Sequence, residues 1–202
     1  MLNETTMKIV AFIILSICSI PVVYGQNEDL TIENGLPYNR ESIDSCLNYL
    51  HEKNDFVLTF KTKATAFSRN KDYFIITRNA DSFTAYKYIH QSFDHLSKLN
   101  LPTDSIKKMW RSFIDNDLFR IKNYKDISNN CPQDSFVKNG TIVYYSNISI
   151  SDSHMYEFYI LSKNEMKRLN YYDPEFFENH CGSVPERQKI IKCVSTISQI
   201  VL

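Results

Sequence analysis

The chain has 202 residues, and its 23 lysines and arginines balance its 23 aspartates and glutamates, so the net charge is zero at pH 7. A protein without net charge has no long-range field that attracts nucleic acid or an anionic membrane, and we expect neither as a partner. The four glycines are too few and too scattered for a phosphate-binding loop, a dinucleotide-binding fingerprint or a hydrolase nucleophile elbow. We therefore expect no cofactor.

The first 25 residues have the pattern of a signal peptide. Lys8 precedes the apolar run Ile9–Ile17, and Val23 and Gly25 stand at the small-residue positions before Gln26. The run is shorter than the roughly 20 residues that a membrane span needs. This pattern predicts cleavage near Gly25-Gln26 and a mature chain, without a transmembrane span, in the periplasm or outside the cell.

A lipid anchor at Cys18 is the competing interpretation of the same segment. Leu15 and Cys18 have the spacing of a lipoprotein cleavage site, but Ile17 stands where a small residue is expected. Simple cleavage before Gln26 is therefore favoured.

Four cysteines remain after cleavage. An even number of cysteines in an oxidising compartment predicts two disulfides. Of the three possible connectivities we favour one that joins two polar loops and ties an early helix to the last one. The pairs are Cys131 with Cys181 and Cys46 with Cys193.

Residues 26–40 are polar and lack apolar periodicity, which predicts a flexible lead-in before a single domain over residues 41–202. Apolar residues at helical spacing predict three main helices: one after Ser42, one over Leu101–Leu118 and one after Pro185. Asp173-Pro174 predicts a short fourth helical turn, capped by the aspartate.

Alternating or β-rich runs predict the strands. They are Asp55–Phe67, Tyr73–Thr77, Phe83–Ile89, Phe119–Asn123, Thr141–Ile150, Met155–Leu161 and Met166–Tyr172. In Met155–Leu161 the residues on both faces are apolar except Glu157, which indicates a central strand covered on both sides. Residues 151–154 are predicted to join this strand to the preceding one as a hairpin.

Strands and helices without a regular βαβ alternation predict an α+β fold. We expect an antiparallel sheet with helices packed on one face, linked by disulfides, in a single domain. The abundant tyrosines of the C-terminal half suit either the sheet core or an exposed face that contacts glycan or protein, and the core is favoured.

One local group of side chains is a candidate site. Asp173, Glu175, Glu178 and His180 lie within eight residues and could hold a divalent cation or supply an acid and a base. The alternative is structural, because Asp173 and Glu175 suit the start of a helix. The sequence identifies no other metal site and no assigned catalytic residue.

Two functions follow from these observations. The favoured one is a non-enzymatic binding or structural protein at the cell envelope, with an unknown protein or glycan partner. The alternative is a small extracytoplasmic hydrolase that uses the carboxylates of the segment Asp173–His180.

Overall fold

The computed structural model describes residues 30–64, 72–89, 96–123, 134–145 and 154–201. In chain order the described strands and α-helices are β1 Leu36–Pro37, α1 Ser45–Lys53, β2 Phe56–Ala64, β3 Asp72–Asn79, β4 Ser82–Ile89, β5 Leu96–Lys98, α2 Thr103–Asp115, β6 Asp134–Lys138, β7 Thr141–Tyr145, β8 His154–Ser162, β9 Glu165–Tyr172, α3 Pro174–His180 and α4 Pro185–Val201. A 3-10 helix, Arg40–Ser42, precedes α1. The predicted leader over residues 1–25 lies outside these ranges.

Seven strands form one antiparallel sheet in the order β1-β9-β8-β2-β3-β4-β5. The strand β8 lies between β2 and β9, and its side chains from Tyr156 to Leu161 are buried except for the half-buried Tyr159. The central position predicted for this strand is therefore confirmed. The α+β class and the antiparallel sheet are confirmed as well.

The helices do not lie on one face of the sheet, as the sequence predicted. The helices α2 and α4 pack Met109, Trp110, Phe113, Ile190 and Ile197 against one face. The helix α1 packs the apolar residues predicted for it against the other face; these residues are Ile43, Cys46, Leu47 and Leu50, and they contact Val57, Ile75, Tyr88 and Leu161. Alternate residues of β2 and β3 therefore enter two separate cores, since successive strand side chains point to opposite faces.

The arrangement of the two faces explains why one predicted disulfide is wrong. Cys46 belongs to the core under α1 and Cys193 to the core under α2 and α4, and both thiols are free and buried. A bond between them would have to pass through the sheet. Cys181 is disulfide-bonded. Its predicted partner, Cys131, lies outside the described residues, so that pair stays a prediction.

The described part of residues 26–40 contacts the sheet. Ile32 is buried in the core with α2 and α4, and Leu36 and Pro37 pair with Met166 and Glu165 as strand β1. A flexible lead-in was predicted for this segment, but from Ile32 onward it is part of the fold. Apolar burial, which the low periodicity of the segment did not indicate, holds it in place.

A second sheet consists of β6 and β7 alone. Asn139 and Gly140 join them, both with positive φ (53° and 77°), as a two-residue hairpin turn requires. The sequence predicted Thr141–Ile150 to pair with Met155–Leu161, but β7 pairs with β6, and β8 pairs with β2 and β9. Of the turn predicted at residues 151–154, the first three residues lie outside the described ranges, and His154 is the first residue of β8. None of the described helices is long and apolar enough to cross a membrane.

Candidate functional site

The four predicted site residues on and around α3 do not converge on one point. Asp173 caps the helix, accepting a hydrogen bond from the Phe176 amide at 3.3 Å, and its own φ of 35° is left-handed. Glu175 accepts a hydrogen bond from the hydroxyl of Tyr156 at 2.9 Å. Asp173 therefore caps α3, and Glu175 connects α3 to β8.

Glu178 and His180 are also engaged in local structure. Glu178 accepts hydrogen bonds from Ser183 Oγ at 2.6 Å and the Val184 amide at 3.1 Å, and from Arg187 Nε at 3.2 Å. The His180 ring is exposed and stacks on Phe176 with its centroid 4.0 Å away. In the described ranges no three histidine, cysteine, aspartate or glutamate side chains are placed to share a metal ion.

The pKa of the Glu178 carboxyl group is lowered. Burial acts to raise it, but the hydrogen bonds from Ser183, Val184 and Arg187 outweigh burial because they stabilise the charged form. This carboxylate thus binds the N-terminal turn of α4, next to the fully buried Arg187. Its role in the fold is to join α3 to α4.

A different group of charged side chains lies on the α1 face of the central strands. Lys61 of β2, Glu157 of β8 and Asn170 of β9 are register partners and form one row across the sheet. Lys63 and Arg168 flank this row on the same face, since they are two residues from Lys61 and Asn170. We call these five residues, Lys61, Lys63, Glu157, Arg168 and Asn170, the Glu157 cluster.

Glu157 is the centre of the cluster and its side chain is 1% exposed. Its Oε2 accepts hydrogen bonds from Lys63 Nζ and, at 3.3 Å, from Arg168 Nη2. Burial acts to raise the pKa of this carboxyl group, but the hydrogen bond from Lys63, the charges of Arg168 and Lys63, and a hydrogen bond from Tyr159 together lower it. Glu157 is therefore ionised at neutral pH, and it is poorly suited to act as a general acid.

Two tyrosines support the cations. Lys61 Nζ lies 4.6 Å from the centre of the Tyr73 ring, and the Arg168 guanidinium carbon lies 5.2 Å from the centre of the Tyr159 ring. The pKa of Tyr73 is raised to about 12, first by burial and then by the negative charge of Glu157. Both phenols thus stay neutral and offer their rings to positive charge.

Exposure differs sharply within the cluster. Lys61 is buried and Glu157 is almost inaccessible, whereas the side chains of Lys63 and Arg168 are 34% and 48% exposed. The cluster contains three positively charged side chains and one carboxylate. Its accessible part, formed by Lys63 and Arg168, therefore carries positive charge. An anion that approaches the sheet here meets Lys63 and Arg168 first.

Asn170 adds an unsatisfied acceptor. Its Oδ1 is buried and has no hydrogen-bond partner in the described part of the chain, while its backbone amide donates to Asn123 Oδ1 at 3.2 Å. A buried amide oxygen without a donor is costly, and such oxygens in native proteins call for an explanation such as a water or a ligand. This oxygen lies on the strand position opposite Glu157.

Comparison of the chain with protein-family models, with curated proteins and with solved structures gives no match. Lys63 and Arg168 present N–H donors to an approaching anion, whereas the Asn170 oxygen is enclosed. Glu157 holds the two cations in position.

Sequence reasoning missed this cluster, although one signal for it was present. In β2 the apolar residues alternate with Thr59, Lys61 and Lys63, which is the pattern of a strand with one buried face. Thr59 and Lys61 are nevertheless buried. Glu157 was the single charged residue in a strand predicted to be covered on both sides. A buried carboxylate requires cations nearby, and the sequence does not state which strands are neighbours.

Proposed function

We propose that this protein is an exported, non-enzymatic binding protein of the cell envelope, periplasmic or secreted, that holds its partner on the Glu157 cluster. The cluster carries this proposal, because it combines two partly exposed cations with a fixed internal carboxylate and an unsatisfied acceptor. Clusters that perturb ionisation inside a fold are concentrated at functional sites. The signal-peptide pattern of residues 1–25 supports export.

Export also gives the cysteines a consistent chemistry. We propose that Cys181 is bonded to Cys131, as the sequence predicts, and that this bond forms in an oxidising compartment. Cys46 and Cys193 are each enclosed in an apolar core, which keeps them from oxidants and from each other. Burial raises the pKa of these two thiols, to about 11 for Cys46 and about 12 for Cys193, so neither forms a reactive thiolate at neutral pH.

A hydrolase that uses the carboxylates of the segment Asp173–His180 is the second candidate. One observation favours it: Glu175 Oε2 is buried and has no hydrogen-bond partner among the described residues. Against it, Asp173 is occupied as the cap of α3, and Glu178 accepts hydrogen bonds from Ser183, Val184 and Arg187. Hydrolysis of envelope glycans or peptides that the Glu175→Gln variant abolishes would favour the hydrolase over the binding protein.

The test of the binding function is retention of envelope material by the mature chain. The immobilised chain from Gln26 onward is incubated with solubilised envelope polysaccharide and, separately, with envelope protein. A Lys63→Gln/Arg168→Gln variant should bind at least about a hundredfold more weakly than the wild type, because it removes two charge-assisted hydrogen bonds of about 1.5–3 kcal/mol each. The function is contradicted if neither fraction is retained, or if both forms of the chain retain equal amounts.

The matched control is Arg120→Gln/Lys163→Gln. These two cations also have one carboxylate partner each, Glu33 and Asp55, and their side chains are 62% and 76% exposed. They lie outside the Glu157 cluster, so the control variant should retain as much as the wild type. A similar loss in the control would indicate nonspecific charge attraction and would contradict a dedicated site.

A further inference from the structure

We propose that a cavity at the end of the large sheet binds a short peptide as a zwitterion, with the peptide carboxylate at Arg78 and its ammonium group at Glu165. The cavity has a volume of about 580 Å³ and lies on the face of the sheet that α2 and α4 cover. The Glu157 cluster lies on the opposite face, so this site goes beyond the proposed binding function.

Four residues on four adjacent strands form one wall of the cavity. Arg78 of β3 pairs with Phe56 of β2, and Phe56 pairs with Ser162 of β8. The hydroxyl of Ser162 donates to the carbonyl of Glu165 in β9 at 3.4 Å. Side chains directly opposite each other on neighbouring strands point to the same face. Arg78 and Glu165 therefore stand at the two ends of one row.

The guanidinium of Arg78 has hydrogen-bond donors that the fold does not use. Its Nε donates to the Ala80 carbonyl at 2.9 Å, and within the described ranges the four N–H groups on Nη1 and Nη2 have no acceptor. The guanidinium carbon lies 6.0 Å from the centre of the Phe83 ring and 5.9 Å from that of Trp110, and both rings support its positive charge. Because Arg78 is only half-buried, a ligand carboxylate can reach it and accept two hydrogen bonds.

Glu165 supplies the opposite charge. It is half-buried, and its carboxylate has no cationic partner among the residues that the structure describes. The other two charged residues of the cavity, Asp55 and Lys163, pair with each other at 3.0 Å, and the second oxygen of Asp55 accepts from the Ala80 amide at 2.9 Å. One positive and one negative charge of the cavity thus remain unpaired. A ligand that neutralises both must itself carry one charge of each sign.

The distance between these two charges favours a peptide over a single amino acid. Neighbouring strands lie about 4.8 Å apart, so three spacings place the Cα atoms of Arg78 and Glu165 roughly 14 Å apart. An extended chain gains about 3.3–3.6 Å per residue, so a peptide of about two to four residues spans this range. The two charges of one amino acid, by contrast, are borne by the same carbon atom. Between the two ends, Phe56 and Leu30 offer an apolar surface to a side chain of the peptide.

The experiment is a calorimetric titration of the mature chain with four probes: alanyl-leucyl-alanine, its N-acetylated form, its C-amidated form and free leucine. The unblocked tripeptide should bind at least about tenfold more tightly than each of the other three, since each of these lacks one charge or the required length. Equal affinity for the unblocked and blocked tripeptides, leucine as the tightest ligand, or no binding at all would overturn the inference.

The fluorescence of Trp110 reports where the peptide binds. Trp110 is the single tryptophan of the chain, and the guanidinium of Arg78 lies against its ring. The emission should therefore change during the titration, with the same affinity that calorimetry gives. Binding without any change in this emission would place the peptide elsewhere and contradict the proposed site.

Two variants assign the two ends of the peptide. Glu165→Gln should weaken the unblocked tripeptide and leave the N-acetylated form unchanged, because that form has no ammonium group. Arg78→Gln should weaken the unblocked tripeptide and leave the C-amidated form unchanged, because that form has no carboxylate. The matched controls are Arg111→Gln and Glu41→Gln, at exposed positions outside the cavity, and both should bind like the wild type. Equal losses for blocked and unblocked forms would show that the charges play no specific role.

Failure of this inference can be distinguished from failure of the proposed function. Retention of envelope material depends on Lys63 and Arg168, on the other face of the sheet. If that material is retained but the tripeptide does not bind, the cavity site is wrong and the binding function stands. If the tripeptide binds but the Lys63→Gln/Arg168→Gln variant retains as much material as the wild type, the cavity site stands and the Glu157 cluster is not the binding site.

Discussion

Glu157 and Asn170 face each other across β8 and β9, and each has a buried side-chain oxygen on the same face of the sheet. The oxygen of Glu157 is held by two cations, and the oxygen of Asn170 has no donor within the described ranges. Both residues belong to the proposed binding site, and both are also buried parts of the sheet, so substitutions here should affect stability as well as binding.

Replacing Glu157 by Gln should destabilise the protein. The change leaves Lys63 and Arg168 without their counter-charge. Because both cations are partly exposed and water compensates part of the loss, we expect a cost of about 1–3 kcal/mol. Urea unfolding of the two forms measures the change. Glu52→Gln is the matched control, because Glu52 pairs with Arg40 at the surface and its loss should cost about 0–1 kcal/mol. Equal effects of the two substitutions would contradict a buried charge network.

The buried Lys167 should give the stability a characteristic pH dependence. Its Nζ donates to the carbonyls of Glu33 at 2.8 Å and Phe119 at 3.0 Å, and burial lowers its pKa from 10.5 to about 8. Between these pH values the unfolded chain binds more protons than the folded one, so this lysine makes the folded state more stable as the pH rises. The full shift corresponds to at most about 3 kcal/mol.

The measurement compares the wild type with Lys167→Met at several pH values from 7 to 10. Taking the difference between the two free energies of unfolding cancels the contributions of the tyrosines and thiols. The free energy of unfolding of the wild type should increase relative to that of Lys167→Met as the pH rises. A difference that does not change with pH would show that the pKa of Lys167 is the same in the folded and unfolded chain.

The thiols of Cys46 and Cys193 should be free and protected. A thiol reagent should modify neither of them in the native protein, and both in denaturant, because each is fully enclosed in its core. Peptide mapping without reduction should then find each as an unpaired cysteine. A peptide that links Cys46 to Cys193 would contradict the assignment of the two residues to opposite faces of the sheet.

Asn123 should protect the part of β9 that does not pair with β1. Its side-chain amide donates to the Arg168 carbonyl at 3.2 Å and accepts from the Asn170 amide at 3.2 Å, so it takes the place of a neighbouring strand along β9. The Asn123→Ala variant should lose about 1–2 kcal/mol. The Asn170 amide should then exchange its hydrogen faster. Unchanged exchange at Asn170 would show that the contact does not persist in solution.

Local patterns in the sequence predicted most elements of this fold. The apolar spacing of Ile43, Cys46, Leu47 and Leu50 predicted α1, and Asp173 was predicted as the cap of α3. These features depend on residues a few positions apart. Their physical cause, a buried helix face or a capped N-terminus, is local as well.

The relations between distant segments could not be predicted in this way. The pairing of Lys61 with Glu157 and of Glu157 with Asn170 depends on strand order, which no local pattern fixes. The wrong Cys46–Cys193 pair has the same origin, because the sequence does not state on which face a helix packs. Glu157 alone carried a signal, as a charge in an otherwise apolar central strand.

The most direct test of the binding face is a map of backbone amide shifts in the mature chain when it is saturated with the envelope material that it retains. The account predicts the largest shifts at Lys63, Glu157, Arg168 and Asn170, on three adjacent strands of one face. Shifts confined to α3 and the start of α4, or no shifts at all, would contradict it.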